Sequence, residues 1–432
     1  MEKQNINLIL NNVLKRISPS EIELKRIDDY LKEFMKDFEE AMKNQEIDAE
    51  IFVGGSYAKK TVVRRDQYDV DVFIRFDKKY KEENISELTE KILKVMKKDF
   101  KVIHGSRDYF RINAEAGMRF YLEIIPVIKV RNPREALNIT DLSYSHVNYV
   151  KKRIKNKNVL DEIRLAKEFT FANHSYGAES YIKGFSGYGL ELMVYKFGSF
   201  FKFIKELVKT KQGEKLIIDI EKLYKNKKEI MIDINSSKLQ SPIILIDPVF
   251  KQRNVSAALS EETFQHFKKV CNDFLKNPSE EFFEVQKTDL DTIKKNAEKK
   301  KYEFILLQAS TNKQEGDIAG SKLLKFYNHL STEIGKLFDI KDKGFNYNDK
   351  KDTKCFFVVE NKGEVLFGGP EVKMKKNYTA FKKAHKNYFI KKGRVYSKEK
   401  VNFNLKGFIR HWKHKNAGKM KDMSIVEMKI IE

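Results

Sequence analysis

The sequence predicts a multidomain α+β protein whose first domain is of the α/β type. Its 432 residues, of which 41% are hydrophobic, are enough for two to four packed domains. Helical and strand periodicities alternate in the first 150 residues, and helical patterns dominate up to residue 272. Beyond that point, strand patterns flank a further helix, which is typical of an α+β domain. We therefore expect domains at 1–150, 151–272, 273–360 and 361–432.

The first domain opens with a predicted helix. Ser18 and Glu21 have capping-box spacing, and Pro19 would occupy the first helical position. Apolar residues then recur at helical spacing, namely Leu24, Ile27, Leu31, Phe34, Phe38 and Met42. Residues 51–53 predict a short strand that ends at a glycine pair, and residues 69–76 and 119–130 alternate as half-buried strands. Together these elements form an α/β unit of ordinary domain size.

Later segments predict the elements of the second and third domains. Residues 161–170, 189–207 and 261–275 have helical patterns, with loops rich in Gly, Ser and Tyr between them. Residues 304–307 and 355–359 predict strands on either side of a helix at 321–337. The chain contains no internal repeat and no long low-complexity linker.

The net charge of +23, from 85 Lys and Arg against 62 Asp and Glu, predicts a polyanionic partner. Residues 371–421 contain 17 Lys and Arg against 2 acidic residues, a net charge of +15. Aromatic residues are interleaved with these cations, which favours contact with nucleic acid over a merely soluble surface. We call four lysines of this segment the tail lysines and expect them to bind a nucleic-acid backbone: Lys382, Lys383, Lys391 and Lys392.

The remaining composition indicates a soluble cytoplasmic protein. Cys271 and Cys355 are far apart and have no metal-ligand spacing, which suits a reducing compartment. No apolar run approaches the roughly 20 residues of a membrane span, and the amino-terminal residues lack the apolar core of a signal peptide. We expect no membrane partner, and a homodimer remains open.

A glycine turn followed by an acidic strand carries the chemistry. The segment from Gly54 to Lys59 reads Gly-Gly-Ser-Tyr-Ala-Lys, in which Gly55, Ser56 and Lys59 would cradle an anion. Asp69 and Asp71 are two apart on a predicted strand and therefore face the same way. Carboxylates so close repel unless a divalent cation lies between them, and hard oxygen ligands suit Mg²⁺ that is also held by phosphates.

Glu123 is the candidate third carboxylate. It alternates with Phe120, Leu122 and Ile124 in an apolar strand, where an ionised glutamate is costly unless it is paired or metal-bound. The alternative is a salt bridge to a neighbouring Lys or Arg. Three carboxylates with two Mg²⁺ ions would support two-metal phosphoryl transfer. The sequence has no Walker lysine loop, which excludes an ordinary P-loop ATPase.

These residues resemble the archaeal-type (class I) CCA-adding tRNA nucleotidyltransferases, whose signature is a Gly-Ser turn, an Asp-x-Asp strand and a third acidic strand. The likeness continues through the segments 161–167, 176–179, 184–188, 247–248 and 253–258. It is strong over residues 20–275 and weaker beyond. The resemblance implies a polymerase β-like nucleotidyltransferase head, a helical neck, an α+β body and a basic tail. In this family the body and tail grip the tRNA.

The resemblance also implies roles for individual residues. Asp69, Asp71 and Glu123 would be the catalytic metal ligands, and Ser56 and Lys59 would bind the triphosphate of ATP or CTP. Three residues would contact the sugar or phosphates of the incoming nucleotide: His146, Lys167 and Tyr176. Arg253 would help to select the base. The chain departs from the family at four positions, where its own residues are Lys59, Lys60, Glu123 and Leu142; the family more often has Arg, Gly, Asp and Arg there.

Two alternatives share the turn and the carboxylates. One is another template-independent enzyme, which adds A or U tails or makes 2′-5′ oligoadenylate or cyclic dinucleotides. The other is an RNA-binding protein that retains the fold without catalysis. The motifs after residue 160 favour CCA addition over both.

Overall fold

The computed structural model describes residues 2–80, 84–105, 107–114, 117–211, 213–286 and 288–432, with side chains from residue 6 onward. The backbone forms two compact units, Met1–Gln286 and Lys287–Glu432. No helix within these described ranges is long and apolar enough to cross a membrane.

The first unit opens with an amino-terminal helix that packs in the core of the later helical layer, followed by a five-stranded sheet with its own helices. The elements in chain order are α1 (Glu2–Ile17), α2 (Glu21–Asn44), β1 (Ala49–Val53), α3 (Gly55–Ala58), β2 (Tyr68–Phe76), α4 (Ile85–Val95), β3 (Lys101–Ile103), β4 (Tyr109–Asn113) and β5 (Phe120–Ile128). The strand order is β1-β2-β5-β4-β3. Strands β2 and β5 run parallel, and the other neighbours are antiparallel. The predicted strands at 51–53, 69–76 and 119–130 are thereby confirmed as β1, β2 and β5.

Helix α2 confirms the predicted apolar stripe, but its predicted start was wrong. The buried stripe residues pack into the core of this sheet: Ile27, Leu31, Phe34, Phe38 and Met42. The capping box is formed by Ser20 and Glu23 rather than by Ser18 and Glu21. Ser18 instead follows α1, and its backbone N–H donates to the carbonyl of Leu14 at 3.0 Å. Both serine–glutamate pairs have the same spacing, so the spacing alone does not choose between them.

A helical layer completes the first unit. Its elements are α5 (Ser143–Arg153), α6 (Lys157–Ala172), α7 (Gly187–Phe197), α8 (Phe200–Lys209), β6 (Leu216–Ile218), α9 (Lys227–Asp233), β7 (Ile243–Leu245) and α10 (Glu261–Lys276). Fully buried aromatic residues fill its core: Phe169, Phe200, Phe203, Phe267 and Phe274. The predicted single helix over 189–207 is two helices, because Gly198 ends α7 in the left-handed conformation with φ +84°. The expected domain boundary after residue 272 falls inside α10.

The second unit contains two antiparallel sheets. Its elements are α11 (Leu290–Lys299), β8 (Glu303–Thr311), α12 (Asp317–Gly335), β9 (Phe338–Tyr347), β10 (Asp352–Asn361), β11 (Glu364–Glu371), α13 (Lys375–Ala384), β12 (Tyr388–Lys391), β13 (Arg394–Lys400), α14 (Leu405–Lys415), α15 (Ala417–Asp422) and β14 (Ile425–Ile430). The strand orders are β14-β8-β10-β9 and β11-β13-β12. The predicted strands at 304–307 and 355–359 are confirmed as β8 and β10, and the helix at 321–337 as α12.

The small sheet β11-β13-β12 lies between β10 and α14 in the chain. At its base, the backbone N–H of Val401 donates to the carbonyl of Gly363 at 2.8 Å. The side-chain amide of Asn361 donates to the carbonyls of Val401 at 3.1 Å and Phe403 at 3.0 Å. The segment therefore leaves and re-enters the rest of the unit at adjacent points, and the last strand, β14, pairs with β8.

Candidate active site

The acidic residues lie on the two parallel strands of the first sheet. Asp71 of β2 is opposite Glu123 of β5 in the strand register. Val70 and Val72 are fully buried on the core face, whereas Asp69 is exposed and Asp71 is half-buried on the other face. The period of two along a strand thus places both aspartates on one side, as the sequence predicts.

The turn after β1 is built around Gly55. The backbone N–H of Gly54 donates to the carbonyl of Asp71 at 2.8 Å, which brings the turn against β2. Gly55 has φ +59°, and a Cβ placed there would lie 1.6 Å from Oδ2 of Asp71. The Asp71 carboxylate therefore occupies the space that a side chain at position 55 would need. Ser56 follows on α3 and is half-buried.

The electrostatics of the acidic face favour a cation. Burial and the neighbouring carboxylates of Asp69 and Glu123 raise the pKa of Asp71 to about 7, against the opposing effect of Lys59 and Lys167. Burial also raises the pKa of Glu123. Two carboxyl groups with raised pKa values thus lie side by side, and a cation between them would relieve their mutual repulsion.

Glu123 makes the salt bridge that the alternative interpretation expects. Its Oε1 accepts from Nη2 of Arg111 at 2.8 Å, and Arg111 lies directly across from it on β4. This contact opposes the effect of burial on the pKa of Glu123. The structure therefore brings Glu123 beside the two aspartates and pairs its carboxylate with the guanidinium of Arg111.

The oxygen donors of this face fit a divalent metal. Within the described ranges, no three His, Cys, Asp or Glu side chains are grouped closely enough to hold a metal ion. Asp69 and Asp71 nevertheless present hard oxygen ligands from one rigid strand, and the glycine at position 55 leaves room for the second carboxylate. Glu123 would join them by exchanging Arg111 for the metal.

Two predicted nucleotide-binding residues meet on a buried glutamate of α7. Nζ of Lys59 donates to Oε2 of Glu191 at 2.7 Å, and Nζ of Lys167 donates to Oε1 at 2.8 Å. The hydroxyl of Thr61 donates to Oε1 at 2.6 Å and accepts from Lys167 at 2.8 Å. We call these four residues the lysine cluster. Sequence reasoning did not identify Glu191 or Thr61.

Burial and charge act in opposite directions in the lysine cluster. Glu191 is fully buried, which alone would raise its pKa, but the two ammonium groups lower that pKa to about 2. Burial lowers the pKa of Lys167, and Glu191 opposes this effect. The carboxylate is therefore the counter-ion of both lysines.

Tyr176 borders the same cluster. A Cβ added to Gly187 would lie 2.8 Å from the Tyr176 hydroxyl and 3.8 Å from Cε of Lys167. Both groups therefore lie close to the point where a side chain at position 187 would begin, at the start of α7. Burial raises the pKa of Tyr176, so the hydroxyl stays protonated as a hydrogen-bond donor.

A second cluster surrounds Asp247. Its Oδ2 binds Nε2 of His146 at 2.9 Å and Nη1 of Arg253 at 2.7 Å, and its Oδ1 accepts from the Tyr188 hydroxyl at 3.3 Å. The rings of His146 and Tyr188 have centroids 4.4 Å apart. We call these four residues the aspartate cluster. The structure thus joins two predicted residues, His146 and Arg253, through two that sequence reasoning did not assign to the site.

The pKa shifts of the aspartate cluster match its geometry. Asp247 is fully buried, which tends to raise its pKa, but His146 and Arg253 lower that pKa to about 2. Burial lowers the pKa of His146 below its ordinary value. The ionised aspartate therefore fixes the orientation of the guanidinium and the imidazole.

Helix α7 connects the two clusters. Tyr188 and Glu191 are three residues apart, so they lie on one face of the helix. Nζ of Lys59 lies 5.8 Å from the centre of the Tyr188 ring while it binds Glu191. The two clusters and the acidic strands therefore form one continuous site within the first unit.

The tail lysines lie on the second unit, among exposed aromatic rings. Lys382 and Lys383 end α13, and Lys391 and Lys392 follow at the tip of the β12–β13 hairpin. Nζ of Lys382 lies 4.8 Å from the centre of the Tyr388 ring. Phe389 next to it is also exposed. Interleaved cations and aromatic rings of this kind suit contact with phosphates and bases.

Two family models match consecutive parts of the chain. Residues 5–149 match the Second Messenger Oligonucleotide or Dinucleotide Synthetase domain. Residues 161–284 match the second domain of tRNA nucleotidyltransferase. The first match ends within α5 and the second begins within α6, so the boundary between them falls inside the helical layer.

Curated relatives of the chain are CCA-adding enzymes of archaea. The enzyme of Methanocaldococcus jannaschii is 30% identical over 405 residues, which are 91% of this chain and 86% of that enzyme. The enzyme of Nanoarchaeum equitans is 41% identical over 244 residues, which are 56% of this chain. That second match spans 59% of the relative's length.

Solved structures with a similar fold include the Cid1 poly(U) polymerase. Its MgGTP-bound form has a TM-score of 0.52 at 15% sequence identity, and the match covers 66% of this chain and all of that one. This likeness confirms the nucleotidyltransferase fold that the resemblance implies for the first part of the chain.

Proposed function

This chain belongs to the archaeal CCA-adding tRNA nucleotidyltransferases, and we propose from that premise how its site performs the reaction. The enzyme adds C, C and A from CTP and ATP to the 3′ end of tRNA without a template and releases pyrophosphate. The observation that carries this proposal is the continuous site of acidic strands, lysine cluster and aspartate cluster.

The acidic strands hold the reacting end of the tRNA. Asp69 and Asp71 would bind Mg²⁺, and Glu123 would complete the ligands by releasing Arg111. When bound, Mg²⁺ lowers the pKa of the 3′-hydroxyl and neutralises charge on the leaving pyrophosphate. The turn at Gly55 keeps the Asp71 carboxylate close to the backbone amides at the start of α3, where phosphate oxygens would also lie.

The lysine cluster binds the triphosphate. Lys59 and Lys167 supply two ammonium groups on the same side of the site, and Ser56 and Tyr176 supply hydroxyl donors nearby. An ammonium is a compact charge that attracts phosphate without imposing bidentate geometry. The lysine cluster would therefore bind the phosphates mainly through the positive charge and the placement of its two ammonium groups.

The aspartate cluster recognises the sugar and the base of the incoming nucleotide. His146 would contact the sugar, while Asp247 holds Arg253 through one of its nitrogens. A guanidinium has further N–H donors, and these suit the acceptor atoms on the Watson–Crick edge of cytosine. A base without matching acceptors would leave buried donors unpaired, so UTP and GTP are rejected.

The match of residues 5–149 to a second-messenger synthetase domain favours an alternative for the first domain alone. Such an enzyme would release a soluble oligonucleotide instead of extending a tRNA. The tRNA nucleotidyltransferase match at 161–284 and the relatives that span most of the chain favour CCA addition.

The test is single-nucleotide extension of three tRNAs, which end before the first C, after C and after CC. We expect CTP to extend the first two and ATP to extend the third, with no GTP or UTP incorporation. Arg253→Ala should reduce CTP incorporation and discrimination against UTP. Lys251→Ala is the matched control, because its ammonium faces Asp233 at 3.9 Å instead of Asp247. Long tails of A alone or U alone on all three tRNAs would refute CCA addition.

A further inference from the structure

Glu191 is a buried, charged residue that has no part in the reaction as proposed above. It lies in the apolar first half of α7, between Leu190 and Leu192, and its side chain is fully buried. Burying a carboxylate is costly unless ion pairs and hydrogen bonds compensate it. Here the compensation comes from residues distant in the chain, since Lys59 is 132 positions away.

The two oxygens of Glu191 bind different partners. Oε2 accepts from Lys59, whereas Oε1 accepts from Lys167 and from Thr61. Because both oxygens belong to one rigid carboxylate, they fix the separation of the two ammonium groups. Without the carboxylate, two neighbouring ammonium groups in a dry site would repel each other.

We propose that Glu191 is a positioning residue that holds the ammonium groups of Lys59 and Lys167 side by side on one carboxylate and so makes the site select nucleoside triphosphates over monophosphates. The inference rests on the proposed function, because that function places a triphosphate beside the lysine cluster. A nucleoside monophosphate offers one phosphate to this pair of ammonium groups, whereas a triphosphate offers three.

The charges around the cluster determine the direction of the effect. Lys167 faces Glu191, Lys59, Thr61 and Tyr176, and Asp69 and Asp71 lie on the adjoining strand. Removal of the Glu191 charge alone would favour anion binding. However, it also removes the counter-ion that keeps a buried ammonium protonated and the anchor that orients both side chains. We therefore expect a net loss of triphosphate affinity.

The experiment measures binding of CTP and CMP to the full-length protein in Mg²⁺ by calorimetry. Glu191→Gln keeps the shape and removes the charge, and it should lower the ratio of CTP to CMP affinity about tenfold. Glu191→Asp keeps the charge but withdraws the oxygens, and it should lower the ratio by about threefold. This second variant keeps the buried negative charge near both lysines, so it also tests the proposal if the first one does not fold.

Glu162→Gln is the matched control. Glu162 lies on α6 in the same helical layer, and its carboxylate accepts from the backbone N–H of Phe200 at 2.7 Å. This substitution should lower the melting temperature while leaving the CTP to CMP ratio unchanged. An unchanged ratio in both Glu191 variants would overturn the proposal and leave Glu191 a structural residue.

Two further outcomes are decisive. A raised ratio in Glu191→Gln would show that the carboxylate only competes with the triphosphate for the lysines, which contradicts the proposal. A lowered ratio in a protein that adds no CCA to tRNA would contradict the proposed function and still support the role of Glu191. Nucleotide binding and tRNA extension therefore test the two statements separately.

Discussion

Replacement of Gly55 by alanine should nearly abolish catalysis while costing little stability. A Cβ at this position would lie 1.6 Å from Oδ2 of Asp71, whereas real Cβ atoms keep at least 3.0 Å from their neighbours. The carboxylate must therefore move by more than 1 Å or the turn must open. A displacement of about 1 Å at a reacting centre costs about 100-fold in rate. The left-handed backbone, with φ +59°, adds about 1 kcal/mol to the cost of folding.

Gly198→Ala is the matched control for this prediction. Gly198 also has a positive φ, +84°, but a Cβ there would meet no described atom within 4 Å. Both variants should lose about 1 kcal/mol of unfolding free energy, because the backbone strain is similar. The assay is kcat for CTP addition to a tRNA that lacks its CCA end, together with thermal unfolding. Activity of Gly55→Ala within threefold of the unmodified protein, or an equal loss in Gly198→Ala, would refute the reasoning.

Three other predictions test the charged groups. Replacement of all four tail lysines by alanine should weaken tRNA binding and reduce its dependence on salt concentration, with little change in nucleotide affinity. If the salt dependence of tRNA affinity in filter binding is unchanged, these lysines serve only solubility. Glu123→Asp should retain far more extension activity than Glu123→Gln, because aspartate keeps the charge, and equal losses would indicate a role set by shape. The pKa of Asp247 is lowered from 3.8 to about 2, so its contribution to stability is present above pH 3.8 and is lost as the pH falls through about 2. The difference in unfolding free energy between the unmodified protein and Asp247→Asn should shrink by about 2 kcal/mol between pH 5 and pH 2 in urea titrations, and a constant difference would contradict this shift.

Features that depend on local periodicity could be predicted from the sequence. The shared face of Asp69 and Asp71 follows from the period of two along a strand, and the stripe of α2 follows from the helical period. The break at Gly198 could not be predicted in the same way. Its neighbours continue the apolar pattern on both sides, and only the backbone conformation separates α7 from α8.

The partners of the buried charges depend on contacts between distant segments. Arg111 reaches Glu123 because β4 and β5 are neighbours in the sheet, and the sequence does not specify that strand order. Glu191 meets Lys59 across 132 positions. One signal for Glu191 was nevertheless present, since it is an acidic residue in the apolar run from Leu190 to Val194. The argument that identified Glu123 applies equally to it. The metal-binding and nucleotide-binding roles of the individual residues stay predictions.

The base of the small sheet β11-β13-β12 makes the segment that carries the tail lysines an insertion within the second unit. Because the chain leaves at Gly363 and returns at Val401, whose backbones are hydrogen-bonded, a linker of a few residues would bridge the gap with little loop-closure entropy. Excision of residues 364–400 should therefore leave β14 paired with β8, whereas truncation at residue 361 would remove β14 and uncover an edge of the four-stranded sheet. We therefore expect that the surface with the tail lysines can be shortened or given a different charge while the four-stranded sheet keeps its fold, although excision would also remove Val365, which packs against the core of this unit.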